Sequence, residues 1–327
     1  MLSCIGPEHP RLNRVLDSVP SGGRIAVVRL RSLGDCVLTT PAIELLHRHR
    51  PDVAIAAVVE PRFAAVFEGN PAVSAILDPG FGAVAAWHPQ LCLNLHGGTR
   101  SILLTAASLA RFRCGFAHHR GAAAVYNVRI PRAQEILGAE RPVHTAEHLA
   151  SAMFHLGVPI SDIPRARLYA QPLKAERPYA AVHPAAAAAY KTWPAERFAA
   201  VARHLSEAYG LDVVFIGSAA DDLSPFNTWR IVAGAPLSHV KSLLAGASLF
   251  IGNDSGPAHI AAAFGVPVVV LFGRPEHQVT WAPWRARAAR TLASPEGIAG
   301  IRVEAALQAV DEIASQAGAY GAGSWLR

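Results

Sequence analysis

With 327 residues, 51% of them hydrophobic and 17% charged, the chain is long and apolar enough for two ordinary domains with separate cores, which excludes a largely disordered protein. The formal charge is +6; residues 1–160 hold 15 arginines against 11 acids, and 27 of the 30 basic residues of the chain are Arg. Four cysteines, Cys4, Cys36, Cys92 and Cys114, show no C-x-x-C spacing, which argues against a zinc or dithiol motif and reads as free, mostly buried thiols.

From Met1 to Pro10 the chain carries Glu8 and His9 and no apolar core of a leader, so no cleaved secretory signal is expected and the protein is placed in the cytoplasm. Strands and helices then alternate: a strand at Arg24–Leu30, a helix at Val37–Arg50, a strand at Val53–Val59, a helix at Arg62–Glu68 and a strand at Val73–Leu77. Leu91–Leu95 and Phe112–Phe116 read as further strands and Thr145–Leu156 as a helix. The proline-bearing stretch Ser161–Arg177 breaks the pattern as a linker would. A second series follows: strands at Tyr179–Val182, Asp212–Ile216, Leu249–Ile251 and Val266–Phe272, with helices at Ala195–Tyr209, Ser238–Ala247 and Pro257–Phe264. The apolar run Ile260–Phe272, cut by Gly265 and Pro267, reads as helix, turn and buried strand rather than a membrane span. Glu304–Ala317 is a helix that is a candidate to cross back onto the first domain, and residues 318–327 form a Gly-rich, frayed tail.

Such alternation implies two doubly wound, Rossmann-like parallel-sheet α/β domains, residues 1–165 and 166–327, with ligands at the carboxyl ends of the strands in a cleft between them. The Arg-rich clusters Arg48-His49-Arg50 and Arg111, Arg113, His118, His119, Arg120 read either as solvated surface or as contacts to phosphates or an anionic membrane face.

Three segments carry chemistry. In Arg29-Leu30-Arg31-Ser32-Leu33-Gly34-Asp35 a strand runs into a loop, and a helix begins near Asp35. Asp35 is either a helix cap or a general base facing the cleft. Gly252-Asn253-Asp254-Ser255-Gly256-Pro257-Ala258-His259 also follows a buried strand and opens a helix, where small residues let a diphosphate approach the first-turn N–H groups. It matches neither a P-loop nor a dinucleotide fingerprint. The third segment is His183-Pro184 followed by Tyr190-Lys191-Thr192-Trp193-Pro194; Lys191 is one of three lysines, with Lys174 and Lys241, and is either a surface lysine or a point charge for a diphosphate.

In this order and at these distances, the three segments resemble glycosyltransferase family nine, the ADP-heptose heptosyltransferases. The resemblance rests on Ser32 to Ala42 (S-x-G-D followed by T-x-P-A), Lys191 to Pro194 (K-x-W-P), Asp254 to His259 (D-[ST]-G-x-x-H) and a later strand ending in Phe272-Gly273, and it covers about residues 24 to 315. It implies a GT-B fold, two such domains facing a central cleft. It also implies an inverting, metal-independent transfer of a heptose or related sugar from an ADP-sugar to a lipopolysaccharide-core-type or other glycan acceptor, lipid-linked or phosphorylated. By the same resemblance Asp35 is the base, Lys191 holds the diphosphate, and Asp254, Ser255, Gly256 and His259 bind the donor, while Ser32, Gly34, Arg62 and Arg120 are acceptor-side candidates. No cofactor, metal or nucleic acid is implied, and peripheral contact with the inner membrane is. Three departures stand out: Ala185–Ala189 follow Pro184 where the family has Gly and Ser or Thr, the segment after Gly217 is short, leaving Asp221 or Asp222 for the ribose, and the cysteines common near the family's C-terminal end are missing, where only Ile301–Ala309 keeps a similar helix. The alternatives are a GT-B transferase with another nucleotide sugar, a non-catalytic nucleotide- or glycan-binding subunit, and a nicotinamide oxidoreductase, which the missing fingerprint disfavours.

Overall fold

The computed structural model describes residues 14–118 and 124–319, so Cys4, His119, Arg120 and the end of the tail lie outside the described residues. The chain divides into two compact units: the first is Met1–Arg31, Pro41–Pro61 and Pro71–Pro164, the second Ser32–Thr40, Arg62–Asn70 and Arg165–Arg327.

The first unit is built on a six-stranded parallel sheet of β1 (Arg24–Val28), β2 (Ala54–Val58), β3 (Ala75–Leu77), β4 (Leu91–Asn94), β5 (Phe112–Phe116) and β6 (Val128–Ile130), in the order β3-β2-β1-β4-β5-β6. The central strands are buried almost end to end, as parallel strands covered on both faces must be. Ala26 pairs with Ala56 on one side and Cys92 on the other. Ala26, Val28, Val58 and Cys92 form one core cluster with Val84 and Leu104.

α1 (Leu33–His49) begins four residues earlier than the periodicity suggested and runs through Pro41. A proline inside a helix removes the N–H that Val37 O would accept; here the Thr40 hydroxyl donates to that carbonyl at 2.8 Å. The Thr-Pro pair thus repairs its own defect. The helix expected at Arg62–Glu68 is instead a 3₁₀ turn at Pro61–Val66. Its amides bond three residues back, Phe67 N to Ala64 O and Asn70 N to Phe67 O, while the buried Lys241 ammonium takes the carbonyls of Ala65 and Glu68.

Four helices that periodicity did not mark are present: α2 (Phe81–Ala86), α3 (Thr99–Ala107), α4 (Ala133–Leu137) and, in the second unit, α9 (Pro275–Trp281). Most are too short to display a 3.6-residue repeat. α5 (Thr145–Leu156) starts on a capping box in which His144 Nδ1 accepts from Ala146 N and Glu147 accepts from His144 N. Residues 158–175 have no regular structure, as a linker would not.

The second unit repeats the plan. Its parallel sheet is β7 (Tyr179–His183), β8 (Asp212–Gly217), β9 (Arg230–Ala233), β10 (Leu249–Asn253), β11 (Val268–Phe272) and β12 (Ala289–Ala293), in the order β12-β11-β10-β7-β8-β9. α6 (Ala195–Tyr209), α7 (Leu237–Gly246), α8 (Gly256–Phe264) and α10 (Val303–Ala319) complete it. α10 lays Ala306, Ala309, Val310 and Ile313 into the core of this second unit, beside Phe198, Leu205 and Leu271. The apolar run Ile260–Phe272 is α8, a left-handed Gly265 (φ 84°) and β11, as expected, and no helix among the described residues is long and apolar enough to cross a membrane. Cys36, Cys92 and Cys114 are buried and form no disulfide among the described residues. In each sheet the strand order reverses once, between β1 and β4 and between β7 and β10, and the crevice outside the carboxyl ends of strands at such a point is where open α/β sheets bind ligands.

Candidate functional site

The motif His183-Pro184 ends β7, and Asn253-Asp254 ends β10, its neighbour at the reversal. Asn253, fully buried, ties the loop that leaves β7 at both of its ends. Its amide donates to Pro184 O at 2.7 Å and its carbonyl oxygen accepts from Trp193 N at 3.2 Å. Trp193 is itself 1% exposed, donates through Nε1 to Ile301 O at 2.9 Å and meets Phe198 edge-on. Within the loop so fixed, a 3₁₀ turn at Ala189–Lys191 presents the lysine.

Lys191 Nζ lies 2.7 Å from Asp254 Oδ2, with the two side chains 20% and 7% exposed. Withdrawing a carboxylate this far from water requires a partner, and the ammonium supplies it. Ser255 stands at the N-cap of α8 but makes no cap bond with its side chain; its hydroxyl is hydrogen-bonded to His183 Nδ1 at 3.0 Å. Burial pushes the His183 imidazole down to about 4, against the opposing pull of Asp221, so it stays neutral at physiological pH.

Two glycines let the starts of α1 and α8 touch. A Cβ on Gly34 would stand 2.8 Å from His259 Cδ2, and one on Gly256 would stand 2.6 Å from Leu33 Cδ2. Each glycine therefore makes room for a side chain of the opposite helix start. Asp35, expected near the beginning of α1, lies in its first turn, where its carboxylate accepts from the Ser32 hydroxyl at 3.1 Å and, at 3.5 Å, faces the Ser32 N–H. Thr39, one turn on, donates to the Asp35 carbonyl.

These residues share a cavity of about 370 Å³ lined by Ser32, Leu33, Gly34, Asp35, Lys191, Asp254, Ser255, Gly256 and His259, with Leu38, Ala187 and Trp281 completing it. All twelve belong to the second unit. Arg62 does not line this cavity; its guanidinium lies over the Phe63 ring in the 3₁₀ turn after β2. Arg120 is outside the described residues. Ala185 and Ala186 line a second cavity of about 360 Å³ with Asp221 and Asp222. There Asp221 accepts from Ser218 N at 2.6 Å and Asp222 from Ser224 N at 3.0 Å. Sequence reading missed Trp281, whose heptad-free, polar helix gave no signal, and the bracing role of Asn253. Among the described residues, no three His, Cys, Asp or Glu side chains gather as a metal site requires.

Known proteins resemble this chain in sequence and in fold. The model of glycosyltransferase family 9 (heptosyltransferase) matches residues 89–299. Lipopolysaccharide heptosyltransferase 3 of Escherichia coli is 25% identical over 293 residues, which is 78% of this chain and 84% of that protein. Among solved structures, a glycosyl transferase family 9 protein from Veillonella parvula aligns with a TM-score of 0.78 at 22% identity, over 90% of this chain and 97% of that one. E. coli heptosyltransferase WaaC with ADP aligns with a TM-score of 0.73 at 18% identity, over 89% and 100%. At such identities the structural likeness establishes the fold, of GT-B type. The family match, which spans more than half of the sequence and includes Lys191 and the Asp254–His259 segment, establishes the rest: the chain belongs to glycosyltransferase family 9 and is a glycosyltransferase.

Proposed function

We propose that the protein transfers a heptose, or a closely related sugar, from an ADP-sugar to a lipopolysaccharide-core-type glycan acceptor, with inversion and without a metal. The observation that carries this reading is the gathering of Asp35, Lys191, Asp254, Ser255, Gly256 and His259 around one cavity. In the proposed step Asp35 takes the proton of the acceptor hydroxyl while that oxygen attacks the anomeric carbon from the face opposite the diphosphate. The anomeric C–O bond breaks as the new one forms, and ADP departs with the bonding electrons. Lys191 and the start of α8 stabilise the charge that develops on the leaving diphosphate. The ADP donor is supported by a structural relative solved with ADP, and the heptose and core acceptor by the lipopolysaccharide heptosyltransferase relative. Ser32, Gly34 and Arg62 are assigned to the acceptor side, and Arg120 with them. In this reading the reaction takes place in the cytoplasm, and a lipid-linked acceptor would bring the protein into peripheral contact with the inner membrane.

A mass-spectrometric panel of ADP-, UDP- and GDP-sugars with core acceptors tests the reading. Transfer from an ADP-heptose alone, unchanged in EDTA, is expected. The alanines in the loop between Pro184 and Lys191 favour a second reading, a different nucleotide sugar, because they offer no hydroxyl to the donor. Turnover with a UDP- or GDP-sugar would select that reading, and loss of turnover in EDTA restored by a divalent cation would overturn the metal-free one.

A further inference from the structure

The segment after β11 wraps the lysine loop through a pair of reciprocal contacts. Gly273 comes first: a Cβ there would collide with the Tyr190 carbonyl oxygen, so only glycine lets the two backbones pass. Next, the guanidinium of Arg274 lies over the Tyr190 ring, 5.2 Å from its centroid. At the far end of α9, the Lys191 ammonium lies over the Trp281 ring, 5.5 Å from its centroid. The consecutive residues Tyr190 and Lys191 thus offer an aromatic face to Arg274 and a cation to Trp281, which stand at the two ends of the segment that carries α9. Trp281 is set in turn by His277 one helical turn earlier, whose ring meets it at 4.8 Å and 79°.

We propose that Trp281 is a positioning residue for Lys191: its indole face, together with the Asp254 carboxylate, orients the ammonium so that its remaining N–H points into the donor cavity. This rests on reading Lys191 as a diphosphate ligand. An ammonium has three donors and turns freely about a single ion pair. With one donor committed to Asp254 and the indole face drawing the charge from a second direction, the third is aimed rather than averaged. Trp281 borders the same cavity as Lys191, so the guide stands beside the group it aims. Lysine orientation is then settled before binding, which lowers the ordering cost of gripping a diphosphate.

Calorimetric titration of ADP into a double-mutant cycle tests the inference. Trp281→Leu is expected to weaken ADP binding about fivefold in the native background, the scale of a partly desolvated cation–π contact. It should have no further effect once Lys191→Met is present, and Trp281→Phe should retain most of the affinity. Equal losses in both backgrounds, or no loss in the native one, would overturn the inference while leaving Lys191 as a ligand. Unchanged ADP affinity in Lys191→Met would sink the underlying reading and the inference with it. Should the leucine variant not fold, tryptophan analogues of increasing fluorine content at position 281 weaken the ring's attraction without changing its shape. ADP affinity should fall stepwise with fluorination, and a flat series would overturn the assignment.

Discussion

At the start of α1 the Asp35 carboxylate sits in the first helical turn and accepts from the Ser32 hydroxyl, whereas at the start of α8 the Asp254 carboxylate precedes the helix and is closed by the Lys191 ammonium. Both starts are made of Ser, Gly and Asp, and both follow the strand ends at a reversal of sheet order. A hydroxyl donor leaves a carboxylate its charge; an ammonium cancels it. The order of the same three residue types therefore separates a group suited to accept a proton from one suited to hold a cation in place. The serines diverge as well, since Ser32 serves the acid beside it and Ser255 turns away to His183.

The largest expected effect breaks the first half of this contrast. Asp35→Asn should fold as the parent does, because Asn retains an oxygen for the Ser32 hydroxyl, yet turnover should fall by about 10²–10⁴-fold, the scale of a positioned general base. Steady-state rates beside melting curves decide it, and a folded variant with parental turnover removes Asp35 from the mechanism.

The second half is tested at Lys191. Lys191→Met strands the nearly buried Asp254 carboxylate and should cost on the order of 3 kcal/mol in denaturant unfolding. Adding Asp254→Asn should restore most of that stability without restoring turnover. If the single variant is as stable as the parent, the pair is not the structural closure described above.

A pH series sharpens the role of His183. Its folded-state value, about 4, lies below the ordinary imidazole value, so the unfolded chain takes up the proton first as pH falls. This contribution to stability is present in full above pH 6.5 and is lost between there and pH 4, amounting at most to about 3 kcal/mol. His183→Gln should flatten that part of the acid limb; an unaltered limb would place the sensitivity elsewhere.

The smallest change expected is at the contact between the two starts. Gly256→Ala adds a methyl where Leu33 already stands and should lower stability by about 1–3 kcal/mol. Gly256→Ala with Leu33→Ala should recover part of it, and two additive losses would show that the glycine does not serve that approach.

Much of this was legible beforehand because it lies where patterns are strongest. β1, β7, β10 and β11 are continuous apolar runs, and the Ser, Gly, Asp and His residues stand directly at their ends. The edge strands β9 and β12 were not legible: Arg230–Ala233 and Ala289–Ala293 are only partly buried and so carry no unbroken apolar run. The start of α1 was misplaced because Leu33-Gly34-Asp35 has the composition of a loop, and only the packing of Gly34 against His259 accounts for it as helix. The Lys191–Asp254 pair joins residues 63 positions apart, and Trp281 reaches the cavity from the end of α9, so neither follows from local spacing.

Asn253 has one more consequence, for how such an enzyme changes over generations. Because its side chain grips the loop at Pro184 and at Trp193, the residues between these ends are relieved of holding the loop closed. Side chains such as those of Ala185, Ala186 and Ala187 can then be exchanged while Lys191 keeps its station, and these are the ones that border the two cavities. A loop braced at its hinges and open to replacement in its middle lets mutation reshape the walls of both cavities without first dismantling the frame that holds Lys191.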